Sequence, residues 1–492
     1  MLSLLASRGY ACLRDGLSGS LPGGLGTRGR EAAEKGALTM TLDPQGVSAT
    51  QATVGTAEHR RQVRKAALAS TVGTTIEWYD YFLYGTAAAL VFPSVFFPHQ
   101  SQYIGQLESF ATYFVGFAAR PIGAAIFGHW GDRIGRKAML IVTLLMMGIS
   151  TTLIGVLPGA HSWGAAAPII LILLRVLQGV AVGGEWSGSV LLAMEWGDQK
   201  KRGLFGSFPQ LGVASGLILG TGFMTILSST TSDASFTSWG WRIPFLCSLL
   251  LVAVGLYIRL QILETPLFAK ALTEKRIRRT PIAEVIREHP KEIVLSALLR
   301  MSEQMPFYVV TAFVLSYLTA PDHGYSKNFA LIGTLLAAAV EFVLIPIFGK
   351  MSDDFGRKKL YMIGAAVTGV WGFAYFAMLD SGLKWLVFVA LCLGLIPHAM
   401  QYGPQASLIA ESFPTSLRYG GAGLGYQLAS IVAGGPAALV ATWLIHTFDT
   451  GYAVAVYMLV SAVITLAACA ALKDYSRSDI ADDETYRRKV RA

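Results

Sequence analysis

The chain has 492 residues, of which 53% are hydrophobic and only 14% charged, with a mean hydropathy of +0.49. An average soluble domain carries about 25% charged residues, so this chain cannot coat a water-facing globule, and part of its solvent must be lipid. A formal net charge of +9 raises nucleic acid as a partner, but the basic residues fall in alternate loops rather than on one patch, and that placement excludes it.

Residues 1–60 contain Gly, Ser and Arg and no apolar run long enough to span a bilayer. The stretch Leu2 to Leu5 is too short and too poorly flanked for a secretory signal. We read 1–60 as a disordered cytoplasmic tail, with Met40 as an alternative start and the first span as the insertion signal.

Twelve apolar blocks follow, at roughly 68–92, 104–127, 138–157, 168–193, 204–228, 242–262, 293–319, 328–348, 360–378, 385–410, 421–446 and 451–472. At 1.5 Å per residue, about 20 residues cross a hydrocarbon core of roughly 30 Å. The runs are unbroken rather than alternating, which selects helices over a barrel. The expected fold is therefore all-α, a polytopic membrane protein of twelve transmembrane helices.

The segment 264–292 is highly charged and contains Pro266, Pro281 and Pro290, the marks of a solvated connector with short helices. It divides the chain into a six-helix bundle over 61–263, a second over 293–472, and a tail over 473–492. Basic clusters occur at Arg60–Lys65, Arg133–Lys137, Lys200–Arg202, Lys275–Arg279 and Arg357–Lys359, whereas the loops 93–103 and 158–167 have none. The positive-inside rule then puts both termini and the connector in the cytoplasm. Cys12, Cys247, Cys392 and Cys469 show no metal spacing, and neither a disulfide, a metal nor a cofactor is expected.

The two halves repeat one another. After span two the chain reads Gly128-His-Trp-Gly-Asp132-Arg133-Ile-Gly135-Arg136-Lys137, and after span eight Gly349-Lys-Met-Ser-Asp353-Asp354-Phe-Gly356-Arg357-Lys358, at an offset of 221 residues. Glu195 and Arg202, after span four, correspond to Glu411 and Arg418, after span ten, with seven positions between the members of each pair. The chain is a duplicated six-helix unit.

The loop pattern G-x-x-x-D-[RK]-x-G-R-[RK] resembles the signature of the major facilitator superfamily. Further segments are similar to its metabolite:proton symporter family. They are Glu77-Trp78-Tyr79-Asp80 with Leu83-Tyr84-Gly85-Thr86, Ala119-Arg120-Pro121, Arg175 with Gln178-Gly179 and Gly183-Gly184-Glu185-Trp186, Trp239 to Phe245, Glu264-Thr-Pro266, and Tyr402-Gly-Pro404-Gln405 with Arg418-Tyr419. The resemblance runs from about residue 68 to 435. It implies two six-helix halves with a midplane site between them, and proton-linked uptake of small polar metabolites: dicarboxylates, citrate, shikimate-like acids, proline or glycine betaine. It also implies that the repeated loops latch the cytoplasmic side shut. Asp354 stands where the first copy has Arg133, so the C-terminal latch is expected to be the weaker one.

An ion at the bilayer centre costs about 3 kcal/mol or more, so each intramembrane charge needs a reason. Glu77 and Asp80 share a helix face with Tyr81 and Tyr84. Two readings stand: a proton-coupling site, because low dielectric favours a protonated carboxyl, or a structural pair with an arginine of a neighbouring helix. Arg175, Gln178 and Glu185 fall on one arc of span four. The fork of Arg175 suits a substrate carboxylate, with a pair to Glu77 or Glu185 as the alternative. Arg120, Tyr84, Tyr402 and Gln405 join Arg175 and Gln178 as candidate substrate-binding residues. Arg300 and Glu303 are three apart and read as a mutually neutralising pair.

The candidate cytoplasmic gate comprises Gly128, Asp132, Arg133, Gly135, Arg136, Asp353, Gly356, Arg357, Glu195, Arg202, Glu411 and Arg418. Its glycines permit tight turns and close helix approach, and its aspartate can accept from a helix N-terminus of the other half.

No G-x-x-x-x-G-K-[ST] loop or H-E-x-x-H motif occurs, and His99, His129 and His398 are scattered, so an enzyme is not expected. The leading function is a proton-coupled symporter in the plasma membrane, a monomer whose partners are a small-molecule substrate, protons and the bilayer. An efflux antiporter and a non-transporting membrane sensor are the alternatives.

Overall fold

In the computed structural model the described residues run from 57 to 478, apart from 101, 135, 261–280 and 320–322, and include Tyr486. The expected tail as far as residue 56 and most of the connector lie outside them. All regular structure among the described residues is helical.

The N-terminal half contains α1 (Ala57–Leu90), α2 (Gln102–Ile134), α3 (Arg136–Val156), α4 (Ala166–Trp196), α5 (Arg202–Thr230) and α6 (Arg242–Leu260). A short helix, Pro281–Glu288, precedes the second half. There α7 is assembled from Pro290–Leu299, Met301–Tyr308, a π-helical turn Val309–Phe313 and Val314–Thr319. It is followed by α8 (Lys327–Phe355), α9 (Arg357–Leu379), α10 (Lys384–Leu393 and Ile396–Ala410), α11 (Arg418–Ala429, a π-helical turn Ser430–Gly434 and Ala437–Phe448) and α12 (Gly451–Ala471).

Nine helices among the described residues are long and apolar enough to cross a membrane by length and composition. The three that fall short are α1, α2 and α7, and these carry Glu77 and Asp80, Arg120, and Arg300 and Glu303. The outside is reversed relative to a soluble protein: Leu249, Leu250, Val343, Ile347, Val370, Val460 and Val463 are exposed, while these charged side chains are buried. Lipid is the solvent that this surface fits.

Within the first half α4 packs closely on α2. A Cβ at Gly179 would lie 2.2 Å from the Gly116 carbonyl oxygen, and one at Gly183 would lie 2.0 Å from that of Arg120. Small residues at this spacing let two backbones touch, and the contact brings Arg120 and Arg175 to one wall. Between the halves, α5 runs along α8 and α10, and α2 along α11. The result is an all-α polytopic membrane fold of twelve helices in two halves of six.

Candidate functional site

The N-terminal third of α4 carries Arg175, which is 3% exposed and enclosed by rings. Its guanidinium carbon lies 4.1 Å from the ring centre of Tyr84, 4.9 Å from Tyr113 and 5.0 Å from Tyr81. Aromatic faces attract a cation without consuming its N–H donors. One donor is used, Nη1 to Gln178 Oε1 at 3.2 Å, while Nε and Nη2 are buried with no hydrogen-bond partner. Arg175 pairs with neither Glu77 nor Glu185. Beside it, Arg120 of α2 is held over Tyr81 at 4.6 Å and Phe117 at 4.7 Å. Two buried guanidinium groups therefore share one aromatic chamber, and the Tyr84 hydroxyl bonds Thr112 Oγ1 at 2.6 Å to fix its wall.

A directed chain leaves this chamber. Arg175 donates to Gln178, Gln178 Nε2 donates to Thr151 Oγ1 at 2.7 Å, and Thr151 donates to Asp80 Oδ2 at 2.8 Å. Asp80 Oδ1 accepts from Ser248 of α6 at 2.6 Å. Asp80 is thus held by hydroxyls, not by an arginine. Glu77 is buried one turn away, and its Oε2 has no hydrogen-bond partner. Glu185 is different: it forms a buried ion pair with Arg259 at the end of α6 and accepts from Thr143 at 3.0 Å. Arg259 was not singled out in the sequence, where a basic residue at a span end reads as topology alone.

Tyr402 and Gln405 do not join the Arg175 chamber. They belong to a second buried cluster in the C-terminal half. Gln405 Nε2 donates to Glu303 Oε2 at 2.9 Å and to the Tyr361 hydroxyl at 3.0 Å, and Tyr402 stacks on His398 at 4.8 Å. Arg300 and Glu303 do pair, at 3.0 Å, but the reading of His398 as an isolated residue is corrected: its ring bonds both Glu303 and Glu341. His398, Tyr402 and Gln405 recur at four and three positions along α10, a shared face legible in the sequence.

At the end of the helices that carries the repeated loops the halves are tied across. Asp353 of α8 accepts from the Gly203 and Leu204 amides at 2.8 and 3.0 Å, which caps the first turn of α5. Arg202 and Arg357 both face Glu411, at 2.7 and 3.2 Å, and Arg357 also bonds Asp353 at 2.9 Å. Arg418 stands 3.9 Å from Glu195. A Cβ at Gly128 would meet the Gly420 Cα at 2.7 Å, so α2 and α11 cross backbone on backbone. Gly356 takes a φ of 93° between α8 and α9, a value suited to glycine. Tyr475, Ser476 and Ser478 lend their carbonyls to Arg202, and Ser476 also to Arg357. Gly135 and the side chains of Asp132, Arg133 and Arg136 lie outside the described residues. The expectation of a weaker C-terminal latch turns on a comparison with side chains of the first copy that lie outside the described residues. Asp354, the departing residue, is exposed, and Asp353 makes the capping bonds without it.

Two family models match in tandem, one described as sugar (and other) transporter over residues 65–291 and one as major facilitator superfamily over 293–485. The chain is 40% identical over 429 residues to the inner membrane metabolite transport protein YhjE of Escherichia coli K12, covering 85% of this chain and 97% of that one. It is 41% identical over 424 residues to the shikimate transporter of the same organism, covering 85% and 96%. To the proline/betaine transporter of Escherichia coli K12 it is 30% identical over 423 residues, covering 84% of each. Among solved structures the proton:xylose symporter XylE, bound to 6-bromo-6-deoxy-D-glucose, superposes with a TM-score of 0.72 at 18% identity, covering 87% of this chain and 99% of that one. The last likeness concerns the fold.

Proposed function

We propose a proton-coupled importer of a small carboxylate, from the premise that the chain belongs to the major facilitator superfamily and, within it, to the metabolite:proton symporter family. That it is a multi-pass membrane transporter and not an enzyme follows from that membership.

The observation that carries the proposal is the chain Arg175–Gln178–Thr151–Asp80. Arg175 offers two unused buried donors inside a ring of tyrosines, and a carboxylate is the group that takes two N–H bonds from one guanidinium. The donors along the chain all point towards Asp80, which suits its ionised form. When Asp80 binds a proton, one oxygen changes from acceptor to donor. Thr151 then turns its hydroxyl to the Met147 carbonyl, 3.0 Å away, and its oxygen accepts from Asp80 as well as from Gln178. Asp80 and Arg175 are thus connected through three hydrogen bonds, and proton loading at one end removes the negative charge that faces the other. Glu77, one turn away, is the second candidate for the proton.

For the substrate we favour a hydroxylated monocarboxylic acid of the shikimate type, because the chain is 41% identical to the relative named a shikimate transporter and 30% identical to the proline/betaine transporter. The positive-inside pattern supports a membrane carrier with both termini cytoplasmic. The repeated-loop contacts, Asp353 on α5 and Arg202 on Glu411, are proposed as the cytoplasmic gate.

The test is uptake into proteoliposomes of shikimate, α-ketoglutarate, citrate, proline and glycine betaine, with and without a pH gradient. Shikimate should concentrate only with acid outside. Accumulation of none of the five, or accumulation indifferent to the gradient, overturns the proposal.

A further inference from the structure

We propose that the C-terminal half contains a second proton-binding site, in which His398 is clamped between Glu341 and Glu303, and that its load is read at the interface of the two halves through Arg300, Tyr426 and Trp186. Nothing in the Arg175–Asp80 chain requires this site, and it lies on different helices.

His398 on α10 bonds Glu341 of α8 through Nδ1, and Glu303 of α7 through Nε2 at 3.1 Å. Glu303 is shared further, accepting from Arg300 Nε at 3.0 Å and from Gln405 at 2.9 Å. Glu341 has no such company. It is fully buried, its partner is His398, and its Oε2 makes no hydrogen bond. The other titratable groups facing the cluster are Tyr308 on α7, Tyr361 on α9, Tyr402 on α10 and Tyr426 on α11. From the N-terminal half α4 and α5 bring Trp186 and Gln210, which do not titrate, while Glu77 of α1 acts on Tyr426, and Arg120 of α2 and Tyr81 of α1 act on Tyr308.

Charge counting then fixes what the cluster holds. With both carboxylates ionised, Arg300 balances one and a protonated His398 balances the other. With His398 neutral, Glu341 must carry the proton instead. Either arrangement is neutral and contains one mobile proton, whereas its loss leaves an uncompensated buried anion, which is strongly disfavoured. The proton passes between Nδ1 of the ring and Oε1 of Glu341 along the hydrogen bond already present. His398 also lines a small cavity with Ser302, Phe307, Thr368 and Trp371, with room for about one water molecule to deliver a proton.

The load is felt at the interface because Arg300 has two sets of partners. It pairs with Glu303 on one side. On the other, its guanidinium lies 3.4 Å from the centre of the Tyr426 ring and donates to the Tyr426 carbonyl. That ring stacks on Trp186 of α4 at 3.6 Å, and Trp186 Nε1 donates to Gln210, which donates in turn to the Tyr402 carbonyl. Removing the proton leaves Glu303 competing harder for Arg300, and Arg300 is drawn off the ring that joins the halves.

The experiment counts protons taken up by purified protein in detergent after an alkaline-to-acid jump, read with an indicator dye, for wild type, His398→Gln, Glu341→Gln, Glu341→Asp and Asp80→Asn. Expected is the loss of about one proton in Glu341→Gln, its return in Glu341→Asp, its retention on Glu341 at a shifted pH midpoint in His398→Gln, and its persistence at the C-terminal site in Asp80→Asn. Trp186 fluorescence, followed through the same jump in a variant lacking the other tryptophans, should change in a His398-dependent manner. An unchanged proton count in Glu341→Gln, or an unshifted midpoint in His398→Gln, overturns the site, even if Asp80→Asn alters the count. Failure of the Asp80 reading would leave these C-terminal results standing. For any variant that does not fold, Glu341→Asp and the fluorescence readout carry the decision.

Discussion

Arg202, at the start of α5, and Glu411, at the end of α10, come from opposite halves of the chain, and their side chains meet at 2.7 Å in a buried ion pair. Their counterparts in the duplication, Arg418 and Glu195, face one another at 3.9 Å. The motif that repeats within each half thus pairs across the halves. Each half supplies the arginine for the other's glutamate, so the seam at this end is closed twice by one sequence element.

Removing one member of a buried pair is costly, about 3–5 kcal/mol, because the other charge is stranded. Glu411 serves both Arg202 and Arg357. Glu411→Gln is therefore expected to open the cytoplasmic seam and to lower net uptake about tenfold or more. A cysteine placed at Ser407, whose hydroxyl bonds the Arg202 carbonyl at 2.6 Å, reports this as faster labelling from the cytoplasmic side. Unchanged labelling would remove Glu411 from the gate.

The capping role of Asp353 gives a second contrast. Its two oxygens hold the first amides of α5, an arrangement in which both hydrogen bonding and the helix dipole favour a negative charge, worth about 1–2 kcal/mol. Asp353→Asn should slow transport several-fold, about as much as the same change at Asp132, whereas Asp354→Asn on the exposed neighbouring position should be silent. Initial uptake rates normalised to protein in the membrane decide it, and equal effects at 353 and 354 would refute the cap.

At Arg175 the tyrosine enclosure and the two free donors predict a graded loss. Lysine keeps the charge but lacks the fork, so Arg175→Lys should weaken shikimate binding about tenfold, and Arg175→Ala should weaken it about a hundredfold. Isothermal titration of purified variants measures this directly. An affinity unaffected in both would reduce Arg175 to a packing role.

Asp80→Asn should separate accumulation from exchange. The amide occupies the same space and still reaches Ser248 and Thr151, but it has no proton to load. Uphill uptake driven by acid outside should vanish, while downhill exchange across preloaded vesicles should remain within about twofold of wild type. Glu77→Gln is the companion. Retention of normal pH-driven accumulation by both variants would assign coupling elsewhere, with the His398 cluster first in line.

The sequence by itself determined the solvent, the number of spans, the duplication and the family. These depend on run length, on the spacing of basic loops and on a motif repeated at a fixed offset, all of which are properties along the chain. It also marked Asp80 and Arg175, because an intramembrane charge is rare enough to stand out, and Arg202, because its motif is repeated in the second half. Tertiary structure alone decided which of those charges meet. Glu185 was read beside Arg175 on one helix face, yet its partner is Arg259, brought from α6. Arg175 and Asp80 lie on different helices, and the residue that joins them, Thr151, is an ordinary hydroxyl on a third. His398 looked solitary because its two carboxylates arrive from α7 and α8, far away in sequence. Hydrophobic periodicity fixes which residues leave the lipid, but the free energy of a buried charge is set by neighbours from other helices, and only packing selects those neighbours.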